Sequence, residues 1–190
     1  MSVVSDPRVL RAIAHPTRNR ILSELSASGS ARAADLAREL GIPANQASFH
    51  LRQLAKYGIV EEAPEEARDR RDRVWRVTAD RGYQVNLNTL AESAGGDAAV
   101  AVYKDQLEAR AASLARLALT DDGEEHSRRT VSDSAIRLSD DERDEFAEEI
   151  RDLFDRWRDR TRDRSVERRT YSLFMIFQPF PALQTDEAED

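Results

Sequence analysis

Residues 44–58 read ANQASFHLRQLAKYG, with apolar side chains at positions 44, 47, 51 and 54. Steps of three and four residues place these side chains along one side of an α-helix, so the stretch predicts a helix with one narrow buried stripe. The other faces carry polar or flat side chains and no acidic residue; they are Asn45, Gln46, Ser48, Phe49, His50, Arg52 and Gln53. A face of this composition is unusual for a helix that meets only water, and it indicates a surface for a partner.

The residues before this stretch predict three further helices. Asp6 and Pro7 suit the N-cap and first position of one helix, and Thr17 suits the cap of a second. A third helix, roughly 31–40, ends at Gly41, a residue that fits a left-handed C-cap. The third helix, a short turn and the quoted helix together have the lengths and turn chemistry of a helix-turn-helix.

A β-hairpin is predicted after Gly58, from two short apolar segments at 59–62 and 74–77. The charged tip between them carries four arginines interleaved with two aspartates. We predict phosphate contacts for these arginines, which are Arg68, Arg70, Arg71 and Arg73. A tip that is merely a solvated loop is the equal alternative. A hairpin in this position is typical of winged domains.

The polar face of the quoted helix has the chemistry of double-stranded DNA recognition. Amide and hydroxyl side chains read base edges by hydrogen bonding, which suits Asn45, Gln46 and Ser48. Arg52 and Lys56 would neutralise phosphates and set the register. Residues 1–82 carry a net charge of +3 and residues 83–190 a net charge of −10, so the N-terminal part is the one suited to a polyanion.

Three segments, LRAIAHPTRNRILSEL, ADLARELGIPANQASFHLRQLAKYGIVEE and RVWRVT, together resemble the ArsR-type winged-helix transcription regulators. The resemblance covers about residues 6–80. It implies a homodimer in which each subunit lays its fourth helix in the major groove. It places five residues at the family's DNA contacts: Asn45, Gln46, Ser48, Phe49 and His50.

Two of these positions have a second interpretation. His50 has the alternative of a packing role, as an N–H donor between helices. Phe49 is either a contact for a thymine methyl group or a partly exposed spacer. His15, near the start of the second helix, is expected to be structural.

The chain departs from the metal-sensing relatives of that family. It has no cysteine, and residues 97–119 contain no histidine, so we expect no metal site and no cofactor. His126 stands beside acidic residues and is expected to be solvated. No phosphate-binding loop, catalytic triad or paired-carboxylate motif is visible, so we expect no enzyme activity. The absence of an apolar run of about 18 residues and of a signal pattern leads to the expectation of a cytoplasmic protein without a membrane partner.

Residues 97–119 predict a long helix whose apolar positions recur at steps of three or four. The resemblance makes it the dimerisation helix, with contacts predicted at Val100, Tyr103, Leu107, Ala111 and Leu114. Packing of this face within the same chain is the alternative.

The C-terminal part predicts a small β-α-β layer, with strands at 130–138 and 171–178 around a helix that Ser139 begins through a capping box. Its aromatic side chains fill either a dimerisation core or an apolar pocket for a small-molecule effector. These side chains are Phe146, Phe154, Trp157, Tyr171, Phe174 and Phe177.

The predicted fold class is mainly α with small β. It comprises a winged helix-turn-helix domain (1–82), a linker with the dimerisation helix (83–122), an α+β dimerisation or effector domain (123–181) and an acidic disordered tail (182–190). The predicted function is a homodimeric, sequence-specific transcription regulator, expected to repress. The alternatives are a protein-interaction adaptor with the same fold and a regulator that responds to a small molecule.

Overall fold

The computed structural model describes residues 2–67, 73–79, 82–120, 129–162 and 166–179. Within these ranges the chain is mostly helical with small sheets, as expected. The helices are α1 (Pro7–Ala14), α2 (Pro16–Ser28), α3 (Ala33–Leu40), α4 (Ala44–Lys56), α5 (Leu87–Ala91), α6 (Gly96–Leu119) and α7 (Asp140–Thr161). The strands are β1 (Ser2–Val4), β2 (Ser30–Arg32), β3 (Val60–Glu62), β4 (Val74–Val77) and β5 (Tyr83–Val85).

The ends of the first helices are fixed by side chains and by one glycine. Asp6 caps α1 by accepting a hydrogen bond of 2.8 Å from the backbone N–H of Arg8. Arg18, on α2, donates to the carbonyl oxygen of Ala12 at 2.6 Å and so satisfies a carbonyl at the end of α1. Gly41 ends α3 with a φ of 64°, a left-handed conformation that favours glycine. These contacts set the turns between consecutive helices.

The core lies between α1, α2, α3, α4 and the hairpin. Side chains with less than 2% of their surface exposed come from all of these elements: Leu10, Ile21, Leu25, Leu36, Leu51, Leu54, Ile59 and Val60. Burying a side chain of this size contributes about 1.5–3 kcal/mol. The position of α4 is therefore determined by its buried stripe rather than by its polar faces.

Two small sheets complete this part of the chain. In the first, β4 lies between β2 and β3 and is antiparallel to both, with Val60 opposite Val77. The hairpin expected after Gly58 is thus present as β3 and β4. The second sheet pairs β1 with β5 in parallel, which the sequence did not predict.

The packed unit does not end at residue 82, where the sequence analysis placed a domain boundary. The first turns of α6 lie against α1 and α5, and Ala99 and Val100 are buried in the same core as Leu10. Packing therefore continues across residue 82, at which the predicted winged domain ends. We call this unit, formed by β1 to β5, α1 to α5 and the first turns of α6, the body.

The C-terminal part differs from the predicted β-α-β layer. The helix is present as α7, with the capping box between Ser139 and Glu142, but 130–138 and 171–178 form no strand. A strand needs a neighbour for its backbone N–H and C=O groups, and no described segment of the chain pairs with either. We call the described residues 129–162 and 166–179 the C-terminal arm. The tail predicted at 182–190 lies outside the described residues.

Candidate nucleic-acid interface

Helix α4 has two faces of opposite character. Ala47, His50, Leu51 and Leu54 are buried, whereas Asn45, Phe49, Arg52 and Lys56 are exposed. At about 100° per residue, the steps of four, three and four in the exposed set keep its members within about 60° of one another. These four residues therefore form one stripe, which we call the exposed stripe of α4.

The exposed stripe carries positive charge that no described carboxylate neutralises. Arg52 and Lys56 form no ion pair within the described residues, and α4 itself contains no acidic side chain. The Lys56 ammonium lies 5.8 Å from the ring centroid of Tyr57, which leaves its charge available. An anion could approach this side of the helix without displacing an existing partner.

The first turn of α4 presents amide and hydroxyl groups. Asn45 and Gln46 are exposed and Ser48 is half-buried. The side-chain oxygen of Asn45 accepts a hydrogen bond of 2.9 Å from the backbone N–H of Gln46. The side-chain NH2 group of Asn45 can still donate to an acceptor on a partner. This end of the helix can thus donate and accept hydrogen bonds from an incoming molecule.

Phe49 lies in the middle of the exposed stripe, with 49% of its surface exposed. Its ring lies edge-on to that of His50, with 5.4 Å between the centroids, and the exposed part of the ring can make an apolar contact with a partner. Both interpretations of Phe49 from the sequence, a thymine methyl contact and a spacer, are compatible with its place.

His50 is a correction to the predicted set of DNA contacts. Its side chain is only 5% exposed and lies on the core side of α4, where its ring centroid is 4.9 Å from that of His15. Burial lowers the pKa of both histidines, and the nearby Arg18 lowers each pKa further. Both rings are therefore neutral at pH 7. A packing role agrees with this burial, but the Nδ1 atom has no hydrogen-bond partner within the described chain, so the N–H donation of that alternative is not observed there.

Two arginines in the described part of the hairpin lie beside carboxylates. Arg73 lies 3.5 Å from the Glu62 carboxylate, and Arg76 pairs with Glu61 at 2.8 Å. Three further predicted phosphate contacts, Arg68, Arg70 and Arg71, lie outside the described residues, as does His126. Arg73 stays a predicted phosphate contact, although its guanidinium group already pairs with the carboxylate of Glu62.

The predicted dimerisation face of α6 is divided between two environments. Val100 is buried in the core of its own chain and Tyr103 packs against that core, so the intrachain alternative holds for these two residues. Val100 in particular is closed to a partner. Further along α6, Leu107 is exposed and Ala111 and Leu114 are half-buried.

Neither a metal site nor a membrane-spanning helix is found in the part of the chain that the structure describes. No three metal-binding side chains of the His, Cys, Asp or Glu type converge there. None of its helices combines the length and the apolar content needed to cross a bilayer.

The arrangement of α3, the turn at Gly41 and α4 defines a helix-turn-helix. Residues 13–63 match the family model described as a helix-turn-helix domain, from the end of α1 to the hairpin. No curated protein is significantly similar to the chain. The chain therefore contains a helix-turn-helix domain, and this class of domain suggests a DNA-binding regulator.

Proposed function

We propose that the protein is a homodimeric, sequence-specific regulator of transcription that binds double-stranded DNA and represses the genes it controls. The observation that carries this proposal is the exposed stripe of α4. It has no acidic side chain, and its two cations form no ion pair within the described chain. The buried leucines on the opposite side of α4 hold the helix against the core. The proposal involves neither a catalytic step nor a cofactor.

In the proposed complex α4 lies in the major groove with its first turn toward the bases. Asn45, Gln46 and Ser48 hydrogen-bond to base edges, and each good pair discriminates by about 1–3 kcal/mol. Arg52 and Lys56 contact phosphates and orient the helix. Because a two-fold dimer presents two such helices, its operator would be a pseudo-palindrome with half-sites about 34–36 Å apart, or a multiple of that spacing.

The double variant Gln46→Ala/Ser48→Ala tests the proposal. Genomic fragments bound by the wild-type protein are selected first, and the affinity for the best fragment is then compared between variants by mobility shift. We expect the double variant to lose its preference for that fragment while circular dichroism remains unchanged. Asn88→Ala, an exposed amide on α5, is the matched control and should bind as the wild type does.

Unchanged preference in the double variant would show that α4 does not read the bases. Failure of the wild-type protein to enrich any fragment would instead support the adaptor alternative, in which the same surface meets a protein.

A further inference from the structure

The C-terminal arm leaves large apolar side chains in contact with solvent. Trp157 on α7 is 53% exposed and Ile176 is 64% exposed, and Leu153, Tyr171, Leu173 and Met175 are comparably open. Phe146 and Phe177 contact each other at 5.3 Å between ring centroids, which covers only part of this surface. Large apolar side chains that are exposed together in one part of a chain are typical of an interaction surface, so the arm is a candidate interface.

The size of the unburied surface indicates the scale of that interface. The chain exposes 14699 Å², whereas a compact monomer of its mass exposes about 9,200 Å². An allowance of about 160 Å² for each of the thirty residues outside the described ranges still leaves an excess of about 700 Å². Two such surfaces would bury about 1,400 Å² together, which is in the range of specific, stable protein–protein interfaces, about 1,200–2,000 Å².

The groove between the arm and the body is also too large for a small molecule. It has a volume of about 2520 Å³ and is lined by Leu107 and Leu114 of α6, by α2, and by Phe154, Trp157 and Tyr171 of the arm. Pockets for small ligands hold about 300–1,000 Å³. Part of another polypeptide fits this groove better than the effector considered from the sequence.

The charge distribution along α7 points to a second copy of the same helix. Residues 140–149 contain seven acidic residues and one arginine, whereas residues 150–162 contain three acidic residues and five arginines. A two-fold axis near the middle of α7 would run two copies antiparallel and place the acidic half of each beside the basic half of the other. The apolar stripe of α7, from Phe146 to Trp157, crosses both halves and would be covered in that arrangement.

We propose that the C-terminal arm is the interface between two copies of this chain, with the α7 helices packed antiparallel across a two-fold axis and segment 171–177 covering their apolar faces. This inference deepens the proposed function, on which it rests, by naming the surface that joins the two DNA-binding subunits. Self-association of identical surfaces requires such internal complementarity.

The first test is the molar mass of the purified full chain, measured by light scattering without DNA. We expect about twice 21.5 kDa for the wild type and a monomer for both Trp157→Asp and Ile176→Asp, because each buries a carboxylate in the interface. Val3→Asp makes the same change at a body residue that is 70% exposed, and it should remain dimeric. A monomeric wild type, a dimer in either arm variant, or a monomeric Val3→Asp would overturn the inference.

The second test uses the absence of cysteine from the chain, which makes any introduced thiol unique. Phe146→Cys and Trp157→Cys chains should form a disulfide when mixed, but neither should cross-link with itself. Antiparallel helices bring position 146 of one copy beside position 157 of the other, and Cα atoms more than about 7 Å apart cannot be bridged. Self-cross-linking of either variant, or no product in the mixture, would contradict the antiparallel arrangement.

The proposed function and the proposed dimer interface can be refuted independently of each other. A dimer that passes both tests but selects no DNA fragment would refute only the proposed function. A DNA-binding protein whose arm variants remain dimeric would refute only this inference.

Discussion

The imidazole rings of His15 and His50 lie with their centroids 4.9 Å apart and their planes inclined by 45°. His15 immediately precedes α2 and His50 lies on the buried face of α4, so the contact joins the start of α2 to the helix that carries the exposed stripe. The Nδ1 atoms of both rings lack a hydrogen-bond partner within the described chain. With Arg18 nearby, this is a poor place for additional positive charge.

The first prediction is a loss of stability in mild acid. The folded chain lowers the pKa of both rings below the ordinary value of 6.5, with burial as the main cause. The unfolded chain therefore binds more protons as the pH falls through that value. The free energy of unfolding should be at its full value above about pH 6.5 and should fall as the pH decreases toward 5.

Urea unfolding between pH 7.5 and 5 measures this dependence. His50→Gln should flatten it, whatever its effect at pH 7.5, because one of the two titrating rings is gone. The lowered carboxylate pKa values of Asp6, Asp35 and Glu142 act at lower pH and do not interfere. An unchanged slope in the variant would exclude the histidine pair as its source.

The second prediction concerns the two faces of α4. Leu51→Ala removes a side chain with no exposed surface and should lower the free energy of unfolding by about 2–5 kcal/mol. Asn45→Ala, on the exposed stripe, should change it by less than about 0.5 kcal/mol. Chemical denaturation compares the two variants, and equal losses would show that the helix is oriented differently.

The third prediction concerns the turn between α3 and α4. Gly41→Ala places a side chain at a φ of 64° and should destabilise the protein by about 1–2 kcal/mol. Nothing lies within 4 Å of an added Cβ atom, so backbone strain is the cause rather than a clash. Gly41→Asn should cost less than alanine, because asparagine tolerates this region. Thermal unfolding of the two variants gives the order, and a more stable alanine variant would rule out the strain.

The fourth prediction distinguishes phosphate contacts from base contacts. Arg52→Ala should weaken binding to specific and unrelated DNA alike and should reduce the salt slope of log K by about 1. Titrations at several salt concentrations measure this slope. Arg38→Ala, an exposed arginine on α3 that pairs with Asp35 at 3.4 Å, is the control and should leave the slope unchanged. Loss of selectivity in the Arg52 variant would place that side chain on a base instead.

Local patterns in the sequence predicted much of the body correctly. These signals are local: the apolar stripe at 47, 51 and 54, Asp6 and Pro7 at the start of α1, and Gly41 at the end of α3. They identified α1, α3, α4 and the hairpin, and the capping box identified α7. The pairing of β1 with β5 was not predicted, because two strands of three residues that lie far apart in the chain leave no signal in neighbouring positions.

The sequence by itself determined most of the helical segments and which side of α4 is apolar, because periodicity and capping act over a few residues. The short helix α5 was not predicted. Only the tertiary structure decided that His50 faces His15, that Val100 belongs to the core of its own chain, and that segment 171–178 finds no strand partner among the described residues. Each of these outcomes depends on contacts between residues far apart in the chain. Such contacts are set by how whole helices pack, and a helical or alternating pattern does not specify which distant surface will cover it.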